Sequence, residues 1–340
     1  MDAKITKKRL GNMLSYDWIK IIAIAVALIV FWSLLFTMTA TKLTSAQTFS
    51  VYSYIGSSTG TPFDRYSSNL KKVLSYDVEK ITTENFSSGG DQAMSVIQAR
   101  FAVDEGDALF VSPERNKKNG SYTVGEGEEQ KTEHYSYLEH FLYNYHYAVE
   151  TFGEGGYIDE LNAYLDSYYL GDYKNPDPTV ADIDETLVKK DFRKRIKKLK
   201  DKRFKKEAEI KKGEKKELQR IESYRLALIE FETYLQKGYI TFQKTTLNFK
   251  DGNGNAVTKE DYFSINLCPN EATMGELKNT VFYQKTVTDE TGAEKKVSTA
   301  QDMNLVLLDL SSSKYRYSRW EGLKFVNYVV RTNCSELKPQ

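Results

Sequence analysis

RFAVDEGDALFVSP, residues 100–113, is the stretch that decides the fold. Before it, Met94, Ile97 and Phe101 recur at helical spacing, and the helical pattern ends at an acidic-glycine turn. Ala108–Val111, apolar along its whole length, follows at once. A short apolar run without alternation is typical of a strand covered on both faces, as in parallel sheets. The stretch therefore predicts the return of a βαβ unit from its helix to a buried strand.

Two more strands are predicted upstream, at residues 49–55 (FSVYSYI) and 76–86 (YDVEKITTENF). Between them, Thr61 and Pro62 start a helix with a hydroxyl at its cap and proline in its first turn. Each connection between strands spans about twenty residues and contains a helix, as a right-handed crossover requires. We therefore expect three neighbouring parallel strands.

The loops after these strands are the candidate binding loops. In open α/β sheets, ligands bind outside the carboxyl ends of the strands. By analogy with such folds, the ligand-binding candidates are Ser57, Ser58, Asn85 and Ser112.

The N-terminal region predicts a membrane anchor. Residues 18–40 are apolar with one charge, Lys20, and are long enough to cross a hydrocarbon core of roughly 30 Å. Residues 1–17 form a basic tail, so the positive-inside rule places the N-terminus in the cytoplasm and the C-terminal domain outside the cell membrane. A cleaved secretory signal, with TSA at 44–46 as the cleavage site, is the alternative.

Both cysteines, Cys268 and Cys334, lie in the part predicted to be extracytoplasmic, where a disulfide can persist. Sequence alone does not place them within bonding distance. A disulfide and two buried free thiols are therefore both open.

Residues 189–216 hold sixteen basic and five acidic residues in a chain whose net charge is only +1. Helix-forming residues predict a helical hairpin over residues 182–237, projecting from the domain, with Gly213 at its turn. It could be a solvated surface, an attachment to anionic lipids or wall polymers, or a docking site for an acidic protein. No nucleic-acid motif accompanies the charge, so we expect no nucleic-acid partner. The candidate interaction surface is formed by Lys194, Arg195, Lys198, Lys202 and Lys205.

The order of these elements resembles the first lobe of extracellular solute-binding proteins of ABC transporters, the maltose-binding-like class. The resemblance covers residues 48–170 and, more weakly, 260–335. It rests on the segments FSVYSYIG, VEKITTENF, AMSVIQARFAVDEGDALFVSP, GEGGYIDELNAYLDSYYL, NLVLLDLSSS and WEGLKFVNYVV.

The resemblance implies an α/β fold: a three-layer lobe formed by residues 48–180 and 238–335, interrupted by the charged hairpin. It implies a carbohydrate or peptide ligand, and an ABC transporter permease or another envelope protein as partner. The chain departs from the family in its length, in its membrane span, and in having the hairpin in place of most of a second lobe.

Catalytic motifs are not evident, and we expect no catalytic residue, metal ion or cofactor. KDGNGNAV, residues 250–257, lacks the glycine and glutamate of a calcium-binding loop and predicts a β-hairpin turn. The predicted function is binding of a ligand or partner beside a transporter. The alternative is a structural or scaffolding component of a membrane or cell-envelope complex whose lobe binds no solute.

Overall fold

The computed structural model describes residues 7–39, 43, 47–64, 66–86, 91–124, 130–177, 179–250, 255–288, 292–310 and 317–338. The chain divides into two compact units, residues 1–42 and 43–340. In the first unit, helix α1 spans Lys7–Thr39. Its segment Trp18–Thr37 is apolar and long enough to cross a membrane, a property that it shares with signal sequences.

The second unit is a mixed α/β structure. In chain order its principal elements are β1 (Thr48–Tyr54), α2 (Thr61–Asp64), α3 (Tyr66–Leu70), β2 (Lys80–Asn85), α4 (Asp91–Phe101), β3 (Ala108–Val111), β4 (Ser121–Val124), β5 (Lys131–His134), α5 (Tyr137–Tyr145), α6 (Tyr157–Asp166), α7 (Glu185–Leu199), α8 (Glu207–Gln236), β6 (Thr241–Lys250), β7 (Ala256–Asn266), α9 (Glu271–Met274), β8 (Tyr283–Thr288), β9 (Glu294–Thr299), β10 (Asn304–Leu307) and α10 (Glu321–Asn333).

Six strands form one mixed sheet in the order β2-β1-β3-β10-β7-β6. Strand β1 pairs parallel with β2 and with β3, which confirms the prediction of three adjacent parallel strands. Strand β10 then runs antiparallel between β3 and β7. The hairpin predicted around residues 250–257 is also present as the antiparallel pair β6–β7, although residues 251–254 of its turn lie outside the described residues.

Residues 102–107 form the turn between α4 and β3. Gly106 has a φ of +139°, and a Cβ there would lie 2.8 Å from the side chain of Leu308, so the turn requires glycine. The next residue, Asp107, accepts a hydrogen bond from the backbone N–H of Ser50 at 2.7 Å. The turn thus joins the beginning of β3 to β1, in the middle of the sheet.

Helices α7 and α8 form the predicted helical hairpin, but the hairpin does not project. Tyr224, Leu228 and Phe231 of α8 are buried in the same core cluster as β1 and α10. The prediction of a projecting hairpin was wrong because the buried face of α8 combines apolar residues with buried charged ones, Glu217, Arg220 and Arg225 among them. The turn is also displaced: Gly213 lies within α8, where it packs closely against Phe192.

The disulfide left open by the sequence is not formed, because Cys268 and Cys334 are free thiols. Both are fully buried. Burial raises the pKa of the Cys268 thiol to about 12, so that this sulfur stays protonated at neutral pH.

Candidate functional site

The strand ends at which the sequence predicted binding lie together along one side of the sheet. We call this row of strand ends the sheet edge, as distinct from the outermost strand β6. The register pairs Asn304, at the start of β10, with Val111 at the end of β3 and with Asn266 at the end of β7. Asn266 also pairs with Thr241, the first residue of β6. The carboxyl ends of β1, β2, β3 and β7 therefore meet the amino ends of β10 and β6 along this edge, and the two halves of the edge differ.

The half beyond β1 and β2 contains two of the predicted ligand residues in direct contact. The Asn85 amide donates to the backbone carbonyl of Ser57 at 3.2 Å and accepts from the Ser53 hydroxyl at 2.7 Å. The Ser57 hydroxyl in turn donates to the carbonyl of Phe282. The polar groups of Ser57 and Asn85 are thus used to hold neighbouring loops together.

The other two predicted residues differ in exposure. Ser112 is fully buried, and its hydroxyl donates to the carbonyl of Ile55 at 3.2 Å, which ties the end of β3 to that of β1. Ser58 is exposed. The four candidates are therefore neighbours along the sheet edge, but they do not line one open pocket.

This half of the edge is covered. The N–H of Gly60 donates to the carbonyl of Thr280 at 2.8 Å, and a Cβ at Gly60 would overlap the carbonyl of Asn279. Gly56, at φ +77°, leaves no room for a Cβ, which would lie 2.6 Å from the ring of Tyr137. The loop after β1 is consequently closed by the 279–282 segment and by the first residue of α5.

The half beyond β3, β10, β7 and β6 is open and holds a cleft of about 780 Å³. The β4–β5 hairpin and the start of α5 form one wall, and the edge strand β6 forms the other. The cleft is lined mainly by polar side chains, among them Arg115, Glu139, Gln243, Thr246, Asn248 and Asn304.

Arg115 is the most constrained side chain of the cleft. Its guanidinium forms a bidentate pair with Glu139 at 3.0 and 3.1 Å and donates to the carbonyl of His134 at 2.7 Å. Partial burial alone would lower the pKa of Arg115, but hydrogen bonding to Tyr122 and the charge of Glu139 outweigh it and raise that pKa. Arg115 therefore stays protonated, its charge is balanced by Glu139, and it locks the β4–β5 hairpin against α5.

The floor of the cleft is a chain of hydrogen-bonded side chains at the start of β10. Asp302 has a φ of 54°, an uncommon conformation for a residue other than glycine. Its carboxylate accepts from the Asn266 amide at 2.8 Å, and its carbonyl accepts from the Asn304 amide at 2.8 Å. Ser264 donates to Asn304 at 2.9 Å. The network holds a strained residue in place and gives the floor oriented polar groups.

Strand β6 has one neighbour in the described sheet, β7, and therefore forms its edge. In a strand paired on one side only, backbone N–H and C=O groups alternate between that partner and the open side. Gln243, Lys244, Thr245, Thr246 and Asn248 line the cleft. The edge strand β6 thus borders the cleft over these five residues.

The predicted basic surface is corrected at one position. Lys194, Lys198, Lys202 and Lys205 are exposed. The side chain of Arg195 is only 17% exposed, pairs with Glu217 at 2.6 Å and lies over the ring of Tyr317 at 4.1 Å. Arg195 is directed inward because a carboxylate on α8 neutralises it.

The sequence predicts β6 as one arm of a hairpin, but it predicts neither the place of β6 at the edge of the sheet nor the Arg115–Glu139 pair. One signal was available: Ser136 and Glu139, three residues apart before an apolar run, fit a capping box, and the structure has that box at the start of α5. Arg115 lies 24 residues before Glu139, and nothing in the sequence indicates that they meet.

Comparison with models of known protein families gives no match, and comparisons with curated proteins and with solved structures give none either. Within the described residues, no group of three or more His, Cys, Asp and Glu side chains is arranged to hold a metal ion.

Proposed function

We propose that the chain is a single-pass, membrane-anchored, extracytoplasmic binding protein related to the solute-binding proteins of ABC transporters, and that it acts by binding a ligand beside a transporter. The cleft beyond the carboxyl end of β3 carries this proposal, because that edge is the usual binding site of an α/β sheet. Two further features support it. The parallel trio β2-β1-β3 and the late pair of β10 and α10 fall in the segments that carry the family resemblance.

The cleft favours an extended, polar ligand, and a peptide best of all. The ten-residue edge strand β6 forms one wall and can pair with an added strand, so that main-chain hydrogen bonds supply affinity. The cations of the two walls are already paired, Arg115 with Glu139 and Lys244 with Glu260, so the preference for a peptide rests on the edge strand and not on charge. An oligosaccharide would use the hydroxyl and amide side chains and leave the backbone of β6 unused.

A thermal-shift screen of the full chain in detergent tests the proposal. Short extended peptides and oligosaccharides are compared as ligands. Thr246→Trp places a bulky ring in the cleft and should abolish the ligand-induced rise in Tm. Thr286→Trp, at an exposed position of β8 outside the cleft, is the matched control and should keep that rise. Stabilisation that survives Thr246→Trp unchanged would place the ligand elsewhere and refute the assignment of the cleft.

The covered half of the sheet edge favours a second candidate, a non-catalytic scaffolding component of a membrane or envelope complex. Ser57 and Asn85 hold loops together, as expected of a lobe that binds no solute there. In this case no ligand raises the Tm. Replacing Lys194, Lys198, Lys202 and Lys205 by glutamate should then release the protein partner, whereas a ligand-binding protein would keep its thermal shift.

A further inference from the structure

Arginine and lysine side chains of the α7–α8 hairpin have different surroundings. Its arginines face carboxylates, whereas the lysines between residues 194 and 215 are exposed, and none of them has a described carboxylate within 4 Å. Planar guanidinium groups suit buried bidentate pairs, while ammonium groups stay hydrated. The excess positive charge of this segment is therefore presented to solvent by lysine. The arginine pairs are Arg193 with Glu207 and Glu214, Arg195 with Glu217, and Arg203 with Asp77, Glu79 and Asp201.

The turn of the hairpin lies beside the point where the chain enters the second unit. Arg203 in the turn pairs with Glu79 at 3.2 Å. The N–H of Glu79 donates to the carbonyl of Gln47 at 2.8 Å, and Gln47 immediately precedes β1. A chain of two contacts thus connects the lysine-rich turn to the first residues of the unit.

Other lysines surround the same point. Lys80 stands opposite Thr48, the first residue of β1, in the parallel β1–β2 pair. Lys71 donates to the carbonyl of Glu79 at 3.0 Å. We call this group, all of it exposed, the lysine rim. Its members are Lys71, Lys80, Lys200, Lys202, Lys205 and Lys206.

The covalent connection to the membrane segment is short. Helix α1 ends at Thr39 and β1 begins at Thr48, so eight residues separate them. Fully extended, they reach about 29 Å at most. With α1 in a bilayer, the start of β1 stays within that distance of the end of α1, which holds the adjoining lysine rim at high effective concentration near the headgroups.

We propose that the lysine rim binds the anionic phospholipid headgroups of the bilayer that α1 crosses. Basic residues near such a surface are attracted individually, and the attraction falls off within a Debye length. On the other side of β1, the turn before β3 carries Asp104 and Glu105, and Glu105 pairs with Arg100. Headgroup binding by the rim would turn the side of the unit that carries β2 and the hairpin turn toward the membrane. This proposal does not require that the cleft bind a ligand.

Amine footprinting of the full chain in nanodiscs tests it. Discs of phosphatidylcholine are compared with discs containing phosphatidylglycerol, because neither lipid carries a reactive amine. In the anionic discs the lysine rim should label more slowly by about threefold or more, and high salt should remove the difference. Lys295 and Lys296, exposed on β9 away from the rim, should label equally in both discs.

The charge-reversal variant Lys202→Glu/Lys205→Glu should restore fast labelling of Lys200 and Lys206 in anionic discs. Lys295→Glu/Lys296→Glu is the matched control and should change nothing at the rim. Equal labelling in the two kinds of disc overturns the proposal, and so does a chain that fails to co-elute with discs. If soluble poly(glycerol phosphate) protects the rim while phosphatidylglycerol does not, the partner is a wall polymer and the membrane proposal is wrong.

Discussion

At the scale of single residues, the unusual feature is a buried ionic cluster that joins α7, α8 and the loop before β2. Arg220 and Glu217 pair within α8, with side chains 1% and 4% exposed, and Arg195 of α7 shares the same carboxylate. Asp77 lies 2.8 Å from Arg203. Buried charges persist only when paired, so each member depends on the others. The cluster fixes how the charged hairpin sits on the sheet domain.

Removing one carboxylate should expose this dependence. Burial alone would raise the pKa of Glu217, but Arg220 and Arg195 outweigh it and lower that pKa to about 2. The carboxyl group titrates near 4.5 in the unfolded chain, so its stabilisation is complete above that pH and is lost as the pH falls toward 2. Glu217→Gln should lower the free energy of unfolding by about 3 kcal/mol at pH 7, and by much less at pH 3.

Denaturant titration of the full chain at both pH values measures this change. Glu207→Gln is the matched control, because Glu207 also pairs with an arginine but is 58% exposed. It should change stability little, as exposed ion pairs do. Equal losses from the two substitutions would show that burial does not strengthen the pairing in the cluster.

At the scale of elements, the sequence predicts the helices and strands whose apolar residue pattern directly reflects which of their faces are buried. Strand β3 is apolar throughout because both its faces are covered, and α4 repeats its apolar residues because one face is. The burial of α8 was missed, since Tyr224, Leu228 and Phe231 are interspersed with charges. Those charges are neutralised by partners distant in sequence, such as Arg195, 22 residues before Glu217. The Arg115–Glu139 pair in the wall of the cleft was missed for the same reason, because its members lie 24 residues apart.

Gly213 tests the packing of the helical pair. The sequence placed this glycine at a turn, but a Cβ there would overlap the ring of Phe192 and lie 2.7 Å from that of Phe204. Gly213→Leu should force the helices apart and lower the free energy of unfolding by about 2 kcal/mol, despite the better helix propensity of leucine.

Thermal and denaturant unfolding of the full chain would measure that loss. Lys212→Leu, at the preceding exposed position of α8, introduces the same side chain and should leave stability nearly unchanged. If both variants are equally stable, the close approach at Gly213 does not limit the packing of α7 on α8.

At the scale of the whole molecule, both ends of the second unit build one core. Phe49 of β1 packs against Phe325 of α10 with ring centroids 5.5 Å apart. Strand β10 supplies the second neighbour of β3, which would otherwise be an edge strand. The parallel β-strands thus lie early in the chain, but its last two elements supply part of their cover.

Truncation after Ala300, which removes β10 and α10, should therefore prevent the second unit from folding. Among the residues lost, Val326, Val329 and Val330 are fully buried with Phe325. Deleting one large buried side chain costs roughly 2–5 kcal/mol, and a domain is stable by only about 5–15 kcal/mol.

Near-UV circular dichroism and hydrogen exchange of the β1 amides would report the loss of folding caused by this truncation. Replacing residues 286–296 of the exposed β8–β9 hairpin by two glycines is the control, and it should leave both signals intact because that hairpin end contributes no buried side chain among its described residues. A truncated chain that retains protected β1 amides would instead show that the parallel strands form a core without their C-terminal cover.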